Sequence, residues 1–119
     1  MLAVLDAKAV RLDWTNVTTS TTVPPDGAWD LIVCSSVCSF LDDYPGTVSQ
    51  IATQLNPGGV FIQWDWEAPP GDEGHGLTRT QIDQALRSAG LVDIDVRTAF
   101  SIPFEDQKME PLAGSGIRR

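Results

Sequence analysis

Histidine and tyrosine each occur once in these 119 residues, and cysteine only twice. Each shortage removes a class of chemistry. Cys34, Cys38 and the distant His75 cannot supply the four ligands of a closed zinc site, so no metal centre is expected. A secreted disulfide scaffold would be far denser in cysteine. The pair therefore reads as reduced, buried thiols of a cytoplasmic protein. Basic residues are also scarce, eight against sixteen acids, giving a net charge of −8. Such a surface repels a phosphate backbone, so nucleic acid is not an expected partner, and the charge reads as a solubility device. No apolar run approaches membrane-spanning length, so no membrane partner is expected either. What remains, 42% hydrophobic and 20% charged residues, is the composition of one ordinary globular domain spanning residues 1–119.

Along the chain, helical and strand periods alternate. Leu2, Leu5, Ala9 and Leu12 share one face of an amphipathic helix. The Thr-rich stretch Asn16 to Thr22 carries a single Val and is at best a weak edge strand. After a turn at Val23 to Gly27, the run Trp29 to Cys34 reads as a strand buried on both faces. Pro45 suits a helix's first turn, and Val48, Ile51, Ala52 and Leu55 follow at helical spacing. Asn56-Pro57-Gly58 is expected to stop that helix before the apolar strand Gly59 to Ile62. Thr78 to Gln81 fits a capping box, with Ile82, Ala85, Leu86 and Ala89 as the buried stripe and Gly90 as the stop. Val92 to Arg97 alternates strictly, which places it near a sheet edge, and Leu112 to Gly114 is expected to return antiparallel. The string is that of an α/β domain.

Ala28-Trp29-Asp30-Leu31-Ile32-Val33, followed by Leu55-Asn56-Pro57-Gly58-Gly59-Val60, resembles the back part of a class I S-adenosylmethionine-dependent methyltransferase. Trp29 and Asn56 stand where that family usually has Phe and Lys. The Leu77-Thr78 to Leu91 helix and the strand after it agree as well. The resemblance implies a three-layer Rossmann-like sheet, mostly parallel with a C-terminal antiparallel strand, and S-adenosylmethionine as cofactor. It also implies an N-terminal truncation. The first strand, its Gly-rich turn, the first helix and the second strand would all fall before Met1, and they hold most of the cofactor in the family. Neither remaining glycine cluster substitutes. Gly114-x-Gly116 has no helix after it, and Gly71-x-x-Gly74-x-Gly76 is surrounded by Pro69, Pro70, Asp72 and Glu73.

By the same resemblance, Ser35, Ser36 and Val37 would lie against the cofactor's methionine portion. The two serines would equally serve as turn or strand-end caps. Phe40, Trp64 and Trp66 are candidates for an acceptor pocket, and Asp65 for the base that takes the acceptor's proton. The alternative is that both tryptophans cover the sheet edge while Asp65 bonds loop amides. His75 reads as a solvated loop residue, and Asp42, Asp43 and Tyr44 as the start of a helix, in a loop where the family often places acceptor contacts.

The expected function is therefore a methyltransferase-like domain with weak or no catalysis alone, accepting a small molecule where it works. Two other readings stay open: one subunit of a split enzyme completed by a partner chain, and a non-catalytic binding module. If the first strand is absent, the outer edge of the Trp29–Cys34 strand lacks a neighbour, and a homodimer or higher oligomer, joined by strand pairing or exchanged elements near that edge, is expected.

Overall fold

The structure, a computed structural model, describes residues 2–24, 26–69, 71 and 76–119. Its elements are α1 (Leu2–Arg11), β1 (Trp29–Ser35), a 3-10 turn (Cys38–Phe40), α2 (Tyr44–Ala52), β2 (Leu55–Trp66), α3 (Arg79–Ser88), β3 (Val92–Thr98), β4 (Ile102–Phe104), β5 (Gln107–Met109) and β6 (Pro111–Ile117). One four-stranded sheet has the order β1-β2-β6-β3. β1 and β2 run parallel, while β6 inserts antiparallel between β2 and β3. Three of the four strands thus share a direction and the last is reversed, as expected. β3 lies at the edge its alternation indicated.

Local chemistry explains the helices that frame the site. Asp43 caps α2, its carboxylate accepting from the Gly46 N–H at 3.2 Å, and Pro45 sits in the first turn. The capping box of α3 is complete: Gln81 N–H donates to Thr78 Oγ1 at 3.1 Å, and Thr78 N–H donates to Gln81 Oε1 at 2.8 Å. Gly90, at φ +80°, ends it in the left-handed turn that glycine tolerates.

Four expectations need correction. The Asn16–Thr22 stretch forms no strand. Ser20 turns on the local backbone, its Oγ donating to Thr22 O at 2.7 Å and accepting from Thr22 N–H at 3.2 Å, while Thr19 Oγ1 donates to Asp6 Oδ1 at 2.7 Å. The second helix stops at Ala52, not at the Asn-Pro-Gly, because Leu55 already pairs with Trp29 in the sheet. Asn56 to Gly59 form a bulge, with Gly58 at φ +84°, before Val60 pairs with Leu31. An extra hairpin, β4–β5, pairs only with itself and was not read in the sequence.

The fourth correction is to the three layers: among the described residues there are two. α2 and α3 pack on each other and cover one face, burying Val48, Ala52, Ile82 and Leu86 against Phe61 and Leu112. β6 has glycines where α3 and the chain after it press closest. A Cβ at Gly114 would stand 2.5 Å from Ile82 Cγ2, and one at Gly116 would stand 2.9 Å from Leu91 Cβ. The other face, bearing Leu31, Val33, Ile62 and Trp64, carries no helix. α1 buries only Ala9 and closes on its own following loop. Trp14 N–H donates to Ala9 O at 2.8 Å, and Lys8 lies 5.6 Å from the Trp14 ring centre.

Candidate functional site

β1 and β2 end side by side, which is where open α/β sheets bind ligands. Ser35 is in register with Trp64, and Ser36 N–H donates to Trp64 O at 2.7 Å. Ser36 takes a left-handed turn at φ +57°, so the chain leaves the sheet abruptly and Val37 stands exposed before the 3-10 turn. Side chains alternate along β2, which splits the Trp64-Asp65-Trp66 triplet between two environments. Asp65 points to the covered face and is 1% exposed, whereas Trp64 is half-buried and Trp66 exposed on the open one.

Asp65 anchors a buried polar chain. Its Oδ1 accepts from Ser39 N–H at 3.2 Å and its Oδ2 from Gln63 Nε2 at 2.8 Å. Gln63 Oε1 in turn accepts from Tyr44 Oη at 2.6 Å. The second reading of Asp65, an acid bonding loop amides, thus describes its observed contacts. Burial pushes its carboxyl above the ordinary value of 3.8, against the Ser39 and Gln63 donors, which pull it down. Burial likewise raises the Tyr44 phenol. The interaction between the two neighbouring thiols lowers Cys34 and raises Cys38, with burial raising Cys38 further.

Two hollows flank this end of the sheet. On the covered side, a cavity of about 480 Å³ lies between α2 and α3, with Cys38, Ser39, Tyr44, Gln81 and Gln84 in its walls. On the open side, a hollow of about 330 Å³ is lined by Ile62, Trp64, Asp95, Arg97 and Ala113. The structure therefore brings Ser35 and Trp64 together but does not gather Phe40, Trp64 and Trp66 around that hollow. Phe40 is 80% exposed on the far end of the 3-10 turn. His75 lies outside the described residues. Among the described residues, no three of His, Cys, Asp and Glu converge as metal ligands, and no helix is long and apolar enough to cross a membrane.

Gln63 and Ser39 were not singled out in the sequence, and Tyr44 was read there chiefly as a helix start. One signal was available. Gln63 and Asp65 share the parity of Phe61 in a strand read as buried, and a buried polar pair at one parity needs partners.

No family model matches this chain, and no curated protein matches it either. Solved structures do. The chain is similar to the YcgJ protein from Bacillus subtilis at 15% identity and TM-score 0.73, covering 100% of this chain and 78% of that one. It is similar to the N-methyltransferase NodS from Bradyrhizobium japonicum, in complex with S-adenosylhomocysteine, at 15% identity and TM-score 0.68, covering 99% of this chain and 63% of that one. The 1,6-didemethyltoxoflavin-N1-methyltransferase of Burkholderia thailandensis, with bound 1,6-didemethyltoxoflavin and S-adenosylhomocysteine, matches at 15% identity and TM-score 0.69. There the match covers 96% of this chain and 56% of that one. The chain thus spans less than two thirds of the two methyltransferases that hold S-adenosylhomocysteine. At these identities the likeness is one of fold, and the fold resembles that of class I S-adenosylmethionine-dependent methyltransferases.

Proposed function

We propose that this chain forms one flank of an S-adenosylmethionine-dependent methyl-transfer site in the cytoplasm, and that alone it binds cofactor weakly and turns over little or not at all. The observation that carries this is the Ser35–Val37 turn. It stands exposed at the C-terminal end of β1, beside Trp64, in a sheet of methyltransferase-like fold. Two exposed hydroxyls and an apolar side chain fit the polar and methylene parts of the cofactor's methionine portion. The glycine turn and ribose-binding acid that would hold its nucleoside are not among the described residues. In the completed enzyme, residues outside those described would supply them, with the third layer and the neighbouring strands.

When bound, the cofactor supplies an electrophilic methyl on a sulfonium, and the protein's share is chiefly orientation. Under this proposal Ser35, Ser36 and Val37 position the cofactor, with Trp64 beside them on the open face. Asp65 takes the acceptor's proton. Because Asp65 lies beneath the Cys38–Phe40 turn, that role requires the acceptor to come from the covered side, past Ser39.

Calorimetry with S-adenosylhomocysteine is the test. The expected result is no saturation at micromolar ligand for the chain alone, and saturable binding once a strand–glycine-turn–helix chain is added. A tight one-to-one complex with the chain alone overturns the incomplete-site reading. In the reconstituted enzyme, Asp65→Asn with unchanged turnover across the pH range removes Asp65 from the chemistry. A second reading, a non-catalytic module, rests on the Trp64 hollow of the open face. Quenching of tryptophan fluorescence by small apolar ligands, lost in Trp64→Ala, would favour it.

A further inference from the structure

The molecule is least finished along the outer edge of β1. No strand pairs with that edge among the described residues, so every second peptide group of β1 offers its hydrogen bonds to solvent or to another chain. The usual protections are missing, for Trp29 to Ser35 contain no Pro and no Lys and have one acid, Asp30. A groove of about 350 Å³ follows the edge, walled by Val23, Pro24, Leu31, Val33, Ile51 and Gln54. The Oε1 of Gln54 is buried in that wall and has no hydrogen-bond partner among the described residues.

Surface area points the same way. The accessible surface is 8185 Å². A compact monomer of this mass exposes about 6300 Å², so the excess is on the order of 1900 Å². The radius of gyration is 16.0 Å, against about 13.5 Å for a compact domain of this length. A stable complex buries roughly 800 Å² per partner, which the excess accommodates twice over.

We propose that β1 is a self-pairing edge: two copies join antiparallel along β1, about a two-fold axis at Ile32, into one continuous sheet. A two-fold axis demands the antiparallel sense and a self-complementary patch. Keeping the covered and open faces continuous demands that the axis pass through a residue and not between two. Centred on Asp30, the two acids would face each other. Centred on Ile32, all seven residues of β1 pair. Leu31 meets Val33 of the second copy, Asp30 meets Cys34, and Trp29 meets Ser35. The open edge disappears. A chain completing the methyl-transfer site would need this same edge, so the dimer is the assembly such a chain must displace.

The test needs no cofactor, so it stands or falls apart from methyl transfer. Light scattering after gel filtration at tens of micromolar should give a dimer for the wild type. In the proposed register, Leu31→Lys with Val33→Lys sets lysines opposite lysines and should raise the dimer dissociation constant at least about tenfold. Leu31→Lys with Val33→Glu sets Lys opposite Glu across the axis and should remain a dimer. Both positions are exposed, at 55% and 47%, so circular dichroism should show the same fold in all three proteins. Should the double-lysine chain fail to fold, amide exchange on the wild type decides, with protection along Leu31 to Val33 that is lost on dilution. A monomeric wild type at tens of micromolar overturns the proposal. So does a double-lysine variant that dimerises as tightly as wild type, or a Lys/Glu variant that is folded but monomeric.

Discussion

The two faces of the sheet are made from the same strands and face opposite fates. On the covered face Phe61, Gln63, Leu112 and Asp65 are sealed by α2 and α3, and even the polar groups find partners. On the open face Leu31, Val33, Ile62 and Trp64 are equally apolar and are left at least partly in water. Residue type does not separate the two faces. What separates them is the presence of a helix with a matching stripe and of glycines in β6 that let it approach. Apolar patterning thus marks which residues can be buried, while the neighbouring layer decides which are.

Paired truncations should break or sharpen that contrast. Phe61→Ala leaves a cavity between sheet and helices and should cost about 3–5 kcal/mol in urea unfolding. If Ile62→Ala on the open face costs as much in the monomeric protein, the two faces do not differ energetically. Gly114→Ala should cost about 1–3 kcal/mol, because the new methyl meets Ile82 where α3 presses on β6. Crystals of that variant showing an unshifted helix would refute the close-packing account.

A polar probe of the covered face is Asp65. Its folded-state carboxyl is raised, so the folded protein binds that proton more readily than the unfolded chain does. The stability this group confers is therefore greatest in acid and is lost as pH rises from the ordinary 3.8 through the elevated value. Asp65→Asn should flatten this part of the profile above about pH 4 in denaturant titrations. An identical slope in both proteins would mean that the acid is not perturbed by burial.

Removing the cap of the covering helix is milder. Thr78→Ala should cost about 1 kcal/mol, read as a lower unfolding midpoint, and Thr78→Ser should restore most of it. Least of all, Leu31→Thr on the open face should stay within about 0.5 kcal/mol in the monomer. A larger loss on dilution than in concentrated solution would show that Leu31 works between chains and not within one.

Much of this was legible in the sequence, for reasons that differ by segment. The capping box at Thr78 and the glycine stop at Gly90 were readable because their hydrogen bonds close within one turn. The parallel pairing of β1 with β2 followed from two short apolar runs with a helix between them, although β1, expected to be buried on both faces, leaves Leu31 55% and Val33 47% exposed. The site was less legible. Ser35 beside Trp64 followed from where two strands end, but the Asp65–Gln63–Tyr44 chain joins residues up to 21 positions apart. Nothing local specifies that meeting. The Thr-rich stretch and the Asn-Pro-Gly stop misled because hydroxyl-to-backbone bonds and a strand bulge compete with strand and helix on nearly equal terms.

By itself the sequence determined what closes over short range: helix starts and stops, the period of each strand, and which residues are apolar enough to bury. The tertiary structure alone decided that Asp65 and Trp64 live on opposite sides of the sheet in different chemistry. It also decided that α1 stands apart from the sheet and that β1 keeps an unpaired edge. Those outcomes depend on which surfaces find a partner across the whole fold, and a surface's partner is not written in its own residues.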